Sequence, residues 1–378
     1  MVSLARMSLI HGWRSFMPAV LAIAFASLLL LMQAALVLGI FGSASVYVTG
    51  SDADIWVGYP GTQSVDQGRA IDANISALLA MDPRIIRFEP FLWLDGDWHG
   101  AGNDTGGVSV YVSGIDTRAD GLMFSKVLPR ELRAALTMPD AVVVDRAELR
   151  KLGVRVGGRA FVNGHSVQVV GVASGLRGLG GVNVVSSLDT ARRLDSDSIY
   201  PDWPTYFVAK LRDGAQADRV AKRLNGHAGF GRYRAWTADD FARRSILFWL
   251  FDTGAGAGVL FLAGIVFLVG AVISSQTLVA AVVGSVREYA TLNALGVGMS
   301  ALRWVVLEQA FWVGAIGVIG AVGLGAVLIA LARLEDVPVV FNVQISLACV
   351  LVVMALAAVS GMTALGGLRR ADPGVLLR

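Results

Sequence analysis

The stretch MPAVLAIAFASLLLLMQAALVLGIF, residues 17–41, carries no charge over 25 positions. A helix of about 20 residues crosses the hydrocarbon core of a bilayer, whereas the apolar region of a cleaved signal peptide runs to about 7–15. The stretch is therefore read as an anchor that stays in the membrane. Three further long apolar runs lie at 246–286, 304–332 and 345–368, with Asp252 in the first of these and Glu308 in the second. The run 246–286 has no strong breaker, and at ~1.5 Å per residue it would reach about 60 Å, roughly twice the hydrocarbon core. It is expected to leave the membrane as a stiff stalk, with Asp252 in the protruding part.

Charge partitions around these runs. Of the 61 charged residues in the 378-residue chain, 32 basic and 29 acidic, 14 lie outside 42–246 and 47 within it. The whole is 55% hydrophobic and 16% charged, against roughly 45–50% and ~25% for an ordinary soluble chain. Disorder, a collagen-like chain and a simple cytosolic enzyme are excluded. The expected fold is an α-helical membrane protein with four transmembrane helices and an α+β extracytoplasmic domain inserted between helices 1 and 2.

Basic residues in short flanks set orientation. Arg6 and Arg14 precede the first run, Arg287 and Arg303 bound the link after the second, and Arg369, Arg370 and Arg378 follow the fourth. That side is the expected cytoplasm, and both termini share it. The divisions are then a cytoplasmic amphipathic helix at 1–16, transmembrane helix 1 at 17–41 and the extracytoplasmic (periplasmic) domain at 42–246. Stalk and transmembrane helix 2 follow at 247–286, a cytoplasmic coupling helix at 287–303 and transmembrane helix 3 at 304–332. An extracytoplasmic loop at 333–344, transmembrane helix 4 at 345–368 and a cytoplasmic tail at 369–378 complete the chain. In 2–14, Leu4, Met7, Leu9 and Ile10 with Arg6, Trp13 and Arg14 fit a helix lying on the bilayer surface better than a frayed tail.

The middle segment reads as mixed α and β. Strand alternation marks 108–115, a short apolar run 141–144, and Asn163-Gly164 between two alternating runs in 159–172 predicts a type I′ hairpin. Helices are expected at 70–81, 215–225 and from 238 into the second run. The glycine-rich segment 171–181 is expected to divide the insert into two subregions. Cys349 is the single cysteine, so no intramolecular disulfide forms and the insert relies on its own core.

Several chemistries are excluded. No G-x-x-x-x-G-K-[ST] phosphate loop occurs, and none of the four lysines, Lys126, Lys151, Lys210 and Lys222, follows a glycine-rich loop. Any ATP hydrolysis belongs to another polypeptide. Residues 42–246 hold 24 basic and 23 acidic residues with no basic run interleaved with aromatics, which argues against nucleic acid. No H-E-x-x-H metal motif or G-x-S-x-G elbow is present. Asp95-Gly96-Asp97-Trp98-His99 is expected to be a solvated loop between strands rather than a set of metal ligands. Glu308, early in the third run, is either a functional membrane ionisable residue or an interfacial partner of Arg303 or Arg287. Gly314, Gly317, Gly320, Gly323 and Gly325 in the third run, and Gly254, Gly256 and Gly258 at the start of the second, are read as close helix-packing positions.

The link Arg287-Glu288-Tyr289-Ala290-Thr291-Leu292-Asn293-Ala294-Leu295-Gly296 places Tyr289, Leu292 and Leu295 on one helical face and stops at Gly296. By itself it is a surface helix suited to docking a partner. It resembles the coupling segment of the MacB/FtsX superfamily (type VII) of ABC-transporter permeases, whose pattern is a basic–Glu pair, a small residue, Leu, a variable residue, Ala, an apolar residue and Gly, with a Glu early in the next span. Arg287, Glu288, Ala290, Leu292, Ala294, Leu295, Gly296 and Glu308 match it. The ending Arg369-Arg370-Ala371-Asp372-Pro373, then Leu377-Arg378, and the insert segment 152–172 are also similar to that superfamily. Arg287–Leu292 together with Asp54-Ile55-Trp56-Val57 looks closest to its DevC-type permeases.

The resemblance implies a non-catalytic permease subunit in the bacterial inner membrane. It binds no cofactor itself, ATP and Mg being held by a separate ABC ATPase subunit that docks at the coupling helix. A second permease copy, a periplasmic adaptor of the membrane-fusion type and a TolC-like outer-membrane duct are the further partners implied. ATP-driven motion would pass by mechanotransmission through the stalks to export an amphipathic or lipid-like substrate. A lipoprotein-extracting permease and an FtsX-like regulator of a cell-wall hydrolase are the alternatives.

Overall fold

The computed structural model describes residues 13–100, 107–195, 199–229, 232–284, 298–334 and 337–368. The chain forms two units, Met1–Gly39 with Ala257–Arg378, and Ile40–Gly256. Among the described residues the longer helices are α1 (Trp13–Gly42), α2 (Ala217–Gly226), α3 (Ala238–Leu247), α4 (Ala255–Gly284), α5 (Met299–Leu334) and α6 (Val343–Leu368). Among the described residues four helical stretches are long and apolar enough to cross a membrane: Trp13–Thr49, Ala255–Thr277, Arg303–Ala332 and Val343–Met362. Their composition suits helix because lipid leaves no partner for a backbone group outside the segment.

The run 246–286 is not one rod. A π-helical turn, Phe248–Asp252, follows α3, and Gly254 at φ +75° takes the left-handed conformation before α4 begins. The break sits inside an apolar sequence, so hydropathy did not mark it. Thr253 Oγ1 donates to the Trp249 carbonyl at 2.8 Å, closing the turn that glycine terminates.

In the second unit every strand lies, in chain order, between α1 and α4. The strands are β1 (Ile55–Gly58), β2 (Ile85–Gly100), β3 (Val108–Ile115), β4 (Ala141–Asp145), β5 (Arg159–Val162), β6 (His165–Ala173), β7 (Val182–Ser187), β8 (Tyr206–Leu211) and β9 (Arg234–Thr237). Strand β2 belongs to two structures. Its first half pairs with β8, from Ile85↔Leu211 to Phe91↔Tyr206, and β8 leads through β1 to β9 in an antiparallel four-stranded sheet. Its second half pairs with β3 on one side and β5 on the other, Trp98 facing both Val108 and Val162. With β3–β7 and β4–β6 parallel and β4–β7 and β5–β6 antiparallel, the pairings close into a six-stranded barrel. Closure leaves the barrel no free edge.

Each part has its own core. Leu94, Trp98, Val110, Val112, Val142 and Val144 are among the buried residues of the barrel, and Trp98 Nε1 donates to the Leu152 carbonyl at 3.0 Å. Ile55, Val57 and Phe207 of the sheet pack with Val220 and Leu224 of α2 and with Ile75 and Leu79 of the short helix Ile75–Ala80. That helix is shorter than the expected 70–81. The hairpin β5–β6 turns at Asn163 (φ 49°) and Gly164 (φ 80°), the two left-handed residues of a type I′ turn.

Two expectations are corrected. Asp95–His99 is the interior of β2, not a loop; β3 pairs with Asp95 to Trp98 and β5 with Trp98 to Gly100, which holds these residues extended despite their low strand propensity. No group of three or more metal-binding side chains occurs among the described residues. The segment 171–181 does not separate two subregions. Strands β6 and β7 on either side of it belong to one barrel, and the division runs through β2.

Candidate functional site

The chain enters the second unit from α1 through a 3₁₀ turn, Ser43–Ser45, and a helical turn, Val46–Thr49; it leaves through α3. These two roots pack against each other and against one aromatic cluster. Phe241 of α3 stacks on Trp236 of β9, ring centroids 4.8 Å apart, and lies 5.6 Å from Trp56 and 5.7 Å from Tyr206. Tyr47 of the first root lies 6.4 Å from Phe91 and 6.0 Å from Phe124. Phe91 stacks on Tyr206 and meets Trp56 edge-on, joining the two roots through the sheet. Burial pushes the phenols of Tyr47 and Tyr206 up, so both stay neutral. Thr237 caps α3, its Oγ1 accepting from Asp240 N at 3.2 Å.

The first root is gripped from three directions. Ser51 Oγ donates to the Tyr47 carbonyl at 2.6 Å and accepts from Phe124 N at 2.9 Å. Asp52 N donates to Leu122 O and Lys126 N to Gly50 O. Lys210 of β8 pairs with Asp52 at 2.8 Å and Asp54 at 3.4 Å, and Ala238 N, at the start of α3, donates to Asp54 O at 2.9 Å. The 122–126 loop is held by buried charge. Glu89 Oε1 accepts from Leu122 N at 2.9 Å and Met123 N at 2.8 Å; Arg133, also buried, donates to the carbonyls of Asp116 (2.7 Å) and Met123. Burial raises the Glu89 carboxyl against these amide bonds and lowers the Arg133 guanidinium. Phe124 sits at φ +54°, a left-handed conformation costly for a side chain of that size and held by this grip.

In the first unit, a Cβ at Gly314 would lie 2.9 Å from Met354 Sδ, and one at Gly317 would lie 2.9 Å from Ile23 Cγ2 and 3.1 Å from Ala24 N. These glycines bring α5 close to α6 and α1. Gly320 is looser, 4.0 Å from Ala24 Cβ, while Gly254 and Gly258 would meet no described atom within 4 Å. Gly254, at φ +75°, follows the π turn and precedes α4. Packing glycines missed in the sequence are Gly270 against Ala26 and Gly361 against Ala310 and Val306; the signal was the same small residue in the apolar runs. Glu308 is half-buried on α5, one residue before the buried Gln309. An apolar hollow of about 530 Å³ is lined by Leu31, Met32, Gly325, Ala326, Phe341 and Leu347 among others. Residues Arg287, Glu288, Tyr289, Ala290, Leu292, Leu295 and Gly296, expected to couple to an ATPase, residues 2–12 of the expected surface helix and the expected tail 369–378 lie outside the described residues.

The fold and these roots define a multi-pass membrane protein carrying an α/β unit. Residues 16–227 match the model of the MacB-like periplasmic core domain, and residues 260–373 that of the FtsX-like permease C-terminal region. The chain belongs to the MacB/FtsX family of permeases, the non-catalytic membrane subunits of ABC-type transporters. No curated protein matches it. Among solved structures it is similar to the periplasmic region of MacB from Actinobacillus actinomycetemcomitans (12% identity, 52% of this chain and 94% of that one, TM-score 0.36). The extracellular domain of the noncanonic ABC-type transporter YknZ from Gram-positive bacteria follows (12%, 49% and 99%, 0.34). A domain of a permease protein from Porphyromonas gingivalis gives 12%, 50% and 90%, and 0.32.

Proposed function

We propose that this chain is the permease of an ABC exporter of the DevC type, and that it relays the motion of a separate ATPase to its α/β unit. The observation that carries this reading is the joint rooting of both connections in one aromatic cluster. Tyr47 and Phe241 reach Phe91, Trp56 and Tyr206, so a displacement of either root bears directly on the four-stranded sheet. Close-packed interiors transmit displacement instead of absorbing it. Arg287, Glu288, Leu292 and Leu295 are the proposed ATPase contacts, by their match to the family pattern. The arginine-rich flanks support cytoplasmic termini in a bacterial inner membrane, with the α/β unit inserted between helices 1 and 2 on the periplasmic side.

A second permease copy, an adaptor and an outer-membrane duct complete the proposed assembly. The apolar hollow supports an amphipathic or lipid-like substrate, its lining and volume being of the kind that takes an acyl chain. Co-purification from native membranes tests the reading. The ATPase and the adaptor are both expected to accompany the permease; recovery of the permease with neither contradicts it, and recovery with a cell-wall hydrolase instead favours the regulator.

A further inference from the structure

Between β6 and β7 the chain passes through Gly175, Gly178, Gly180 and Gly181. This segment touches both roots. A Cβ at Gly178 would lie 2.7 Å from Tyr47 Oη, on the root that follows α1. One at Gly180 would lie 3.3 Å from the Trp249 ring in the π turn after α3, and 3.1 Å from Tyr111 Oη of β3. Gly175 and Gly180 adopt φ +87° and +90°, which only glycine takes without strain. Trp249 is itself anchored, its Nε1 donating to Asp66 at 3.3 Å.

The same segment is fastened to the barrel. Leu176 is fully buried, and its N–H donates to Asp145 Oδ2 at 2.8 Å. Its carbonyl accepts from Asn183 Nδ2 at 3.0 Å, and Ser113 Oγ donates to Asn183 Oδ1 at 2.7 Å. Arg177 pairs with Glu148 at 2.9 Å. One side of the segment is thus pinned by buried polar groups of β3, β4 and β7, while Gly178 and Gly180 lie against Tyr47 and Trp249. Glycine at these positions is what allows two large rings to approach the backbone.

We propose that Gly175–Gly181 is a strap through which the two roots set the position of the six-stranded barrel, with Tyr47 and Trp249 as the positioning residues. The aromatic cluster reaches the four-stranded sheet; the strap carries the same displacement to the barrel. This deepens the relay described under Proposed function and rests on it.

The test uses full-length protein in nanodiscs with Cys349→Ser and spin labels at two exposed sites, Met81→Cys near the sheet and Val156→Cys on the barrel. Gly178 lies outside the left-handed region, so Gly178→Ala tests space alone. The label-to-label distance distribution is expected to be narrow in the parent, broadened by Gly178→Ala, and narrowed again by Gly178→Ala with Tyr47→Phe, which removes the obstructing hydroxyl. Trp249→Leu acts from the other root and is expected to broaden the distribution without altering any glycine, which keeps the test open should Gly178→Ala misfold. An unchanged distribution in folded Gly178→Ala and Trp249→Leu, or failure of Tyr47→Phe to restore the first, overturns the strap. Broadening accompanied by normal export contradicts the relay reading and leaves the strap contact standing, so the two failures are told apart.

Discussion

Phe241 and Trp236 lie parallel, their ring planes 8° apart and centroids 4.8 Å apart, and this stack fixes the first turn of α3 against the last strand of the sheet. Both rings are buried, so the exit from the α/β unit is anchored in its core and not tethered by a loop.

Phe241→Ala is therefore expected to destabilise the α/β unit by about 3–5 kcal/mol, through lost burial and the cavity left behind. Phe241→Leu should cost less than half of that. Urea unfolding of the full-length protein, followed by tryptophan fluorescence, checks the order; equal midpoints for wild type and Phe241→Ala contradict it.

Glu89 gives the α/β unit a pH dependence of definite sign. Burial holds its folded pKa above the ordinary 4.5, so the folded state keeps the proton where the unfolded chain has lost it. Its contribution is fully present below the unfolded value and is lost as pH rises through the folded one. Asp116 acts oppositely in a more acidic window. Burial acts to raise it, but hydrogen bonds from Arg118 outweigh that and lower it below 3.8, so its contribution is lost as pH falls through the folded value. The melting temperature of the wild type is expected to climb as pH drops from neutral toward 4.5, and Glu89→Gln to flatten that climb. Identical slopes for the two proteins contradict the assignment.

At the hairpin, Gly164→Ala is expected to cost roughly 1–2 kcal/mol, the penalty for an L side chain in the left-handed region, while Gly164→Asn costs less. Asn163→Ala loses more than the turn, because its side chain accepts from Asp97 N at 2.8 Å and donates to Leu194 O at 3.0 Å. Chemical denaturation of the three variants orders them.

Within the membrane unit, Gly317→Leu is expected to part α5 from α1, because the new side chain meets the backbone nitrogen of Ala24. A Cβ at Gly323 would meet no described atom within 4 Å, so Gly323→Leu serves as the control. Thermal stability in detergent should fall for the first and stay near wild type for the second.

Local features of this fold were readable in the sequence. Four apolar runs announced themselves by length, β3 by alternation, and the β5–β6 turn by Asn163-Gly164, all of which depend on neighbours in the chain. What escaped depended on distant partners. Trp98 pairs with Val108 and Val162 to close the barrel, and nothing in the run Asp95–His99 signals that both flanks are occupied. The π turn at Phe248–Asp252 hides in an apolar stretch, and its anchoring shows only in the contacts of Trp249 with Asp66 and Gly180. Nothing in the sequence marks Glu89 and Arg133 as buried, since both are held by backbone groups of residues 116–123, far from Glu89 in the chain, with Arg87 3.7 Å from the Glu89 carboxylate. The proposed coupling residues, Arg287 to Gly296, rest on a family pattern alone, because the contacts that would give the pattern physical meaning are proposed to lie in a partner chain.

In the proposed relay, force generated by an ATPase docked at Glu288 and Leu292 reaches the α/β unit. Its most direct test is ATP hydrolysis and export measured in the same reconstituted complex for the wild type and for Glu288→Ala with Leu292→Ala, at matched permease levels. The relay predicts that hydrolysis continues in the double variant while export falls to background. Wild-type export by the double variant would contradict it.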